Sequence, residues 1–325
     1  MVAMFPEELA TLEADLLQGL AAVEERLRAE IASDYELADI TARHLVEAGG
    51  KRFRPLLVLL ASQFGDPKAD GVVPAAVVVE LTHLATLYHD DVMDEAMVRR
   101  GAQSANSRWG NTVAILSGDF LFARSSKLLA DLGPDAVRVQ AETFERLVIG
   151  QLSESVGPQP GQDPVEHHLQ VLADKTGSLI AAAGRYGAMM SGVSAELTDL
   201  IANFGEAIGI AFQLSDDLLD IESNVSGKTP GTDLREGIRT LPVLLALQDT
   251  DTDAQLMELL SRPLPDDADH AVALAGLREH RAMDQARTVL DSWISKAREA
   301  LVPLPDGEVK MALETLCSGI ADRAI

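Results

Sequence analysis

Apolar residues recur at intervals of three and four along most of this chain. Between residues 7 and 32 they fall at Leu9, Leu12, Leu16, Leu20, Val23, Leu27 and Ile31. That spacing keeps one face of a helix apolar. Similar runs continue towards the C-terminus, broken by short polar segments. These are GDPKADG at 65–71, LGPD at 132–135 and GPQPGQDP at 157–164, then QDTDTD, RPLPDDADH and VPLPDG. Clusters of Pro, Gly and Asp mark helix boundaries. No repeat of solenoid period interrupts the pattern, and no linker is long enough to separate a pair of domains. The pattern predicts one all-α domain over 1–325, with ten or more helices.

Composition points the same way. The chain is 47% hydrophobic but only 4% aromatic, and Ala and Leu are abundant. Strands enrich β-branched and aromatic residues, so helices are favoured. A formal net charge of -24 repels phosphate backbones and excludes a general nucleic-acid binder. It leaves room for a local basic pocket that takes a small anion. Cys317 is the only cysteine, so no disulfide can form within the chain, as suits a reducing compartment. The stretch MVAMFPEELATLEADLL lacks the basic and apolar regions of a signal peptide. Apolar runs such as PLLVLLA and VVPAAVVVEL fall short of the roughly 18 residues of a membrane span. The expectation is a cytoplasmic protein with no integral membrane segment.

Two acidic motifs break this apolar background. In THLATLYHDDVMDEAMVRRG, residues 82–101, Asp90 and Asp94 share a helix face and Asp91 lies beside them. The same helix is apolar at 79, 81, 84, 85, 87 and 92, which a solvated acidic turn would not be. His83 lies two turns back on about the same face, roughly 10 Å away. The pattern recurs in AFQLSDDLLDIESN, residues 211–224, with Asp216 and Asp220 on one face and Gln213 four residues before Asp217. An unpaired buried carboxylate is costly, so these acids call for a counter-charge. Mg²⁺ prefers one or two carboxylates completed by water and substrate phosphates. Each motif therefore reads as half a metal site, with a diphosphate supplying the other half.

Basic residues match that reading. GGKRFRPLLVLL, residues 49–60, places Lys51, Arg52 and Arg54 behind a glycine pair that lets an anion approach the backbone. Arg offers a forked contact to phosphate and Lys a point charge. Arg99 and Arg100 follow the first acidic motif directly. Lys175 and Thr176 in ADKTGSLIAAAG sit at what reads as a helix start rich in small residues, and Lys228 lies in SGKTPGTDL.

Together the motifs GGKRFRP, DDVMDEAMVRRG, DKTGSLI, FQLSDDLLD and GKTPGTDLREGIRTLP resemble those of the all-trans polyprenyl diphosphate synthases, from about residue 40 to residue 245. The resemblance implies the isoprenoid synthase fold, a large bundle of mostly antiparallel helices around a deep central cavity, usually a homodimer. It implies two or three Mg²⁺ ions per active site, ligated by Asp90, Asp94 and Asp216 and supported by Asp91, Asp217 and Asp220. Arg99, Lys175, Thr176, Gln213 and Lys228 would contact the allylic diphosphate. Gly50, Lys51, Arg54, His83 and Arg100 would hold isopentenyl diphosphate. Two positions depart from the family pattern: Ile238 replaces a lysine in GIRTLP, with Arg239 beside it, and Gln151 stands where many members have Glu.

The implied reaction is head-to-tail prenyl transfer, whose allylic cation needs a dry cavity. Product length should follow the wall below the first motif, where Thr82, Ala85 and Thr86 are small and precede Asp90 on the same helix. Tyr88 lies about 200° round the helix from Asp90 and is not assigned as a floor. Small residues there predict a product of about C30 or longer, by analogy with the family. Small residues also let helices pack closely, which leaves the floor to another helix. Alternatives are a farnesyl or geranylgeranyl diphosphate synthase of C15–C20 product, a class I terpene cyclase, and a non-catalytic partner subunit. A cyclase leaves GGKRFRP unexplained, and partner subunits tend to lose the acidic motifs.

Overall fold

The computed structural model describes residues 5–222 and 230–322. A 3₁₀ turn, Glu7–Leu9, leads into α1 (Ala10–Ile31), α2 (Glu36–Glu47), α3 (Phe53–Ser62) and α4 (Val72–Met93). Two-residue strands follow, β1 (Val98–Arg99) and β2 (Ala102–Gln103), then α5 (Ala105–Trp109), α6 (Asn111–Leu132) and α7 (Pro134–Val156). The rest comprises α8 (Pro164–Leu172), α9 (Ser178–Met190), α10 (Ala195–Glu222), α11 (Thr232–Glu236), α12 (Leu241–Gln248), α13 (Ala254–Leu260), α14 (Asp267–Glu279), α15 (Ala282–Leu301) and α16 (Glu308–Ala321). The described residues are all-α apart from the one hairpin, as the apolar spacing predicted. The chain divides into two compact units. The first holds Met1–Phe144, Leu179–Ala202 and Leu304–Ala312; the second holds Glu145–Ser178, Asn203–Pro303 and Leu313–Ile325.

In the first unit, α1 buries Leu12, Leu16, Val23, Leu27 and Ile31, the residues its three-four spacing selects. α4 is the core helix, packed on α1, α3 and α6. Among the described residues it is the one helix long and apolar enough to cross a bilayer, yet two-thirds of its apolar window is buried in protein. Small residues set the helix spacings. A side chain on Gly118 of α6 would meet the His89 ring and the Ala85 carbonyl of α4. A side chain on Gly187 of α9 would strike the Val58 carbonyl of α3. Between α6 and α7 the segment LGPD shrinks to Gly133 alone, whose φ of 104° suits no other residue well.

In the second unit, the acidic segments read as helix boundaries supply caps. Asp163, Asp253 and Asp266 each accept two backbone N–H bonds at the starts of α8, α13 and α14. One local expectation fails. Lys175 and Thr176 do not begin a helix: α8 runs through a π-helical turn, Ala173–Gly177, straight into α9. Such turns insert a residue into a helix and re-aim its side chains. Here the Gly150 position of α7 lies 2.7 Å, measured from its ideal Cβ, from the Lys175 backbone nitrogen, so the bulge nests where no side chain intrudes.

Candidate active site

Both acidic motifs end helices. Asp90 and Asp91 lie in the last turn of α4, and Asp94 is its C-terminal cap, donating its N–H to the Asp90 carbonyl at 2.8 Å. Asp216, Asp217 and Asp220 occupy the last two turns of α10. A helix C-terminus carries the negative end of the backbone dipole, so an acid in the last turn is disfavoured by a few tenths to about 1 kcal/mol. Such a placement makes sense when a cation arrives.

Within each motif the carboxylates divide in the same way. Asp91 is wholly buried, and Arg99 donates to it at 2.6 Å. Burial pushes the Asp91 carboxyl up, against the pull of Arg99. Asp217 is 4% exposed; His168 Nε2 lies 3.2 Å from it and Gln213 Nε2 donates to it at 3.4 Å. By contrast Asp90 is half-buried, and Asp94 and Asp216 are exposed. Asp220 accepts the backbone N–H groups of Thr232 and Asp233 and so caps α11. The inner aspartates hold the helix ends together; the outer ones present hard oxygen donors. Among the described residues no three His, Cys, Asp or Glu side chains converge on one point to cage an ion. One or two carboxylates per ion, the rest left to phosphate and water, fits Mg²⁺.

The basic side of the first unit is a cradle. Arg54 sits in the first turn of α3, and its Nε is buried without a hydrogen-bond partner. Burial pulls the Arg54 guanidinium down to about 10, with Glu80 opposing, so it keeps its charge at neutral pH. Arg100 stands in a left-handed conformation (φ 53°) beside Gly101 (φ 77°) at the hairpin tip, the pair of positive φ values a type I′ turn requires. Its guanidinium donates to the carbonyls of Leu45 and Gly49 and fills the space a Gly50 side chain would take, 3.0 Å away. His83 lies among these groups. Burial first, and then the charges of Arg54, Arg100, Arg52 and Arg99, hold it well below its usual range, so it is a neutral imidazole. Lys51 is exposed at the rim. Cations this close repel one another, and a doubly charged anion relieves them.

Lys175 forms an ion pair with Glu154 on the π turn. That turn is braced by side chains the motifs did not reveal. Arg146 bonds Asp174 at 2.8 Å and Glu206 at 2.8 Å, Gln170 bonds Asp174 at 2.7 Å, and the Ser178 hydroxyl bonds the Asp174 carbonyl. Thr176 is half-buried beside Lys175. Lys228 lies outside the described residues. Ile238 is 48% exposed, and Arg239 donates to the Ser261 carbonyl at 3.3 Å. Gln151 carries a buried Oε1 without a hydrogen-bond partner.

The three small residues below Asp90 differ in setting. Thr82 is wholly buried and receives a bond from Gln140 at 2.9 Å; Ala85 is wholly buried with its carbonyl against Gly118. Their smallness serves the α4–α6 contact, and Thr86 alone of the three keeps exposed surface. Tyr88 is turned away, its hydroxyl on the Thr41 carbonyl of α2.

Comparison with known proteins gives concordant results. Residues 36–275 match the family model described as Polyprenyl synthetase. The chain is 49% identical over 311 residues to a nonaprenyl diphosphate synthase of Mycobacterium tuberculosis, covering 94% of this chain and 93% of that protein. A crystal structure of geranylgeranyl pyrophosphate synthase from Corynebacterium glutamicum, complexed with calcium and isoprenyl diphosphate, superposes with a TM-score of 0.88 at 46% identity, covering 99% of both chains. A decaprenyl diphosphate synthase from Rhodobacter capsulatus gives a TM-score of 0.88 at 33% identity, over 97% of this chain and 99% of that one.

Proposed function

The chain belongs to the polyprenyl synthetase family, and from that premise we propose that it joins isopentenyl diphosphate to an allylic diphosphate, giving an all-trans polyprenyl diphosphate of about C30 or longer. One observation carries the reading: an acidic helix end and an anion cradle occur in the same unit, joined by a hairpin that carries Arg99 and Arg100. A cyclase of allylic diphosphates has no use for the second anion site. We assign Asp90, Asp94 and Asp216 as ligands of two or three Mg²⁺ ions. Gly50, Lys51, Arg54, His83 and Arg100 are assigned to isopentenyl diphosphate, and Arg99, Lys175, Thr176, Gln213 and Lys228 to the allylic substrate. The two units serve one polyprenyl synthase domain over 1–325, and the cytoplasm is its expected location.

Bound Mg²⁺ supplies Lewis-acid stabilisation of the charge that develops on the leaving group. Lys175 meets the same charge by giving up its carboxylate partner, Glu154, in favour of phosphate, and Arg99 meets it while its Nε keeps Asp91. As the allylic C–O bond breaks, the diphosphate leaves with the bonding pair and an allylic cation remains. The C=C bond of isopentenyl diphosphate, held by the Arg54–Arg100 cradle, attacks that cation and forms the new C–C bond. A proton then leaves the adjacent carbon to restore the alkene, and the departed diphosphate is the base. Neutral His83 adds a hydrogen-bond donor to the cradle without adding to its repulsion. The allylic cation needs a dry, apolar surround, or water would quench it.

The long product is supported by the 49% identical nonaprenyl relative and by Thr86, the one of the three small residues below Asp90 that keeps exposed surface. A C20 product is favoured by the 46% identical geranylgeranyl relative. Purified protein with Mg²⁺, labelled isopentenyl diphosphate and C10, C15 or C20 primers decides between them once the dephosphorylated products are sized. A ladder reaching C30 or beyond is expected, and Thr86→Phe shortens it by two or more units, of roughly five carbons each. An endpoint at C20 removes the long-chain reading, and no elongation from any primer removes the function.

We further propose a homodimer. α6 leaves Ile115 and Leu116 exposed, and α7 carries an exposed apolar stripe of Phe144, Val148, Leu152 and Val156 at four-residue spacing. Solvent-facing stripes of this kind mark protein contacts. Leu116→Glu combined with Leu152→Glu is expected to halve the mass seen by light scattering. A wild-type mass of one chain ends the proposal.

A further inference from the structure

Arg52 stands in the middle of the basic motif, between Lys51 and Arg54, yet the structure turns it away from its neighbours. Its Nη1 donates to Glu80 of α4 at 2.7 Å, its Nε to Glu24 of α1, and its Nη2 to the Val46 carbonyl of α2 at 3.1 Å. Glu80 is 2% exposed and the Arg52 side chain 9%, so this ion pair is removed from water. Glu24 is about a quarter exposed and also meets Arg28 at 3.2 Å. With two carboxylates and a carbonyl around it, the Arg52 charge is matched and unavailable to a phosphate.

The backbone supplies an independent sign. Arg52 is left-handed, at φ 49° and ψ 34°, where it caps α3. Among the described residues just three other than glycine have positive φ, and they are Arg52, Glu95 and Arg100, all within or beside the charged motifs. A side chain with a Cβ is disfavoured in this region and stays there when its surroundings hold it. For Arg52 those surroundings are Glu24, Glu80 and the Val46 carbonyl, reached from three different helices. The same loop is gripped from its other end, where Arg100 binds the Gly49 carbonyl.

We propose that Arg52 is a positioning residue for isopentenyl diphosphate: clamped by Glu80 and Glu24, it fixes the 49–54 loop so that Lys51 and Arg54 meet the diphosphate in a preset geometry. The chemistry of the clamp is specific to arginine. Its planar fork reaches two carboxylates and a carbonyl at once, and a lysine ammonium presents no such fork. Glu80 has a second effect, since its charge acts on Arg54 and Arg100 as well. It allows guanidinium groups to collect in a buried space before any anion is present.

This inference rests on assigning the cradle to isopentenyl diphosphate, so the test separates the two. Arg52→Lys, Glu80→Gln and Glu24→Gln are compared with Arg54→Gln in the purified full chain, with KM for each substrate, kcat and melting temperature measured. Arg54→Gln reports on the cradle itself. If it leaves KM for isopentenyl diphosphate unchanged, the assignment falls and the inference falls with it. With Arg54→Gln impaired, Arg52→Lys and Glu24→Gln are expected to raise KM for isopentenyl diphosphate about tenfold, since small misplacements of a binding group have effects of this order. kcat and KM for the allylic substrate are expected to stay within about twofold, by the same reasoning that a positioning change confined to one pocket spares the other. Glu24→Gln, at the better-solvated end, keeps the comparison open if Glu80→Gln does not fold. Folded variants with wild-type KM for isopentenyl diphosphate overturn the inference. So does a uniform loss of active protein with both KM values unchanged, because that is what a purely structural clamp would give.

Discussion

Asp90→Ala and Asp216→Ala are each expected to lower kcat at saturating substrate by about a thousandfold or more. Charge stabilisation by a bound divalent ion is worth several kcal/mol, and each 1.4 kcal/mol is tenfold in rate. The inner aspartates act on stability. Asp91→Asn leaves Arg99 without its carboxylate inside a buried contact, and Asp217→Asn does the same to His168. Those variants are expected to melt at lower temperature than wild type, because a partner is left behind. An active, stable Asp90→Ala enzyme retaining more than a tenth of wild-type kcat at high Mg²⁺ would remove the metal assignment. Adding a chelator to the wild-type protein should abolish turnover at once, with recovery on excess Mg²⁺.

This division of labour could not be read from the motif. Sequence spacing places Asp90 and Asp94 on one face and Asp91 beside them, but it does not say that Asp91 is the buried one with a guanidinium on it. The helical pattern was legible because burial follows a 3.6-residue period. Leu12, Leu16, Val23, Leu27 and Ile31 are buried at the positions their spacing names. The basic and acidic motifs were legible because unusual charges stood in apolar surroundings. What stayed hidden depends on distant pairs. Glu80 meets Arg52 across 28 residues, and Arg146 meets Asp174 across 28 and Glu206 across 60. Nothing local in the sequence marks these as partners. The π turn at Lys175 is hidden for a related reason: its Asp174 is held by Arg146 from another helix and by Gln170, and Gly150 allows the close approach. Thr82 and Ala85 show the reverse limit. Their small size was legible, but the helix it served, α6, was not.

Gly187→Ala is expected to destabilise the first unit by about 2–3 kcal/mol and to weaken isopentenyl diphosphate binding from a distance. The added methyl would stand 2.1 Å from the Val58 carbonyl oxygen and 2.8 Å from the Ala61 Cβ, both on α3. Neither neighbour is the free end of a flexible chain. Relief therefore requires α9 and α3 to separate, and interiors packed this closely resist such shifts. α3 is fully buried from Pro55 to Ser62, so it cannot move outward without opening contacts on its other sides. Its first turn carries Arg54, and Arg52 caps it, which ties the position of the cradle to the α3–α9 spacing. Urea unfolding should show a lower midpoint with an unchanged slope, as befits a change in stability alone. In the surviving folded protein, KM for isopentenyl diphosphate should rise while KM for the allylic substrate holds. A Gly187→Ala protein with wild-type midpoint would mean that the two helices can move apart at little cost. The geometry of the basic motif would then have to be held by the Arg52 clamp and the hairpin alone.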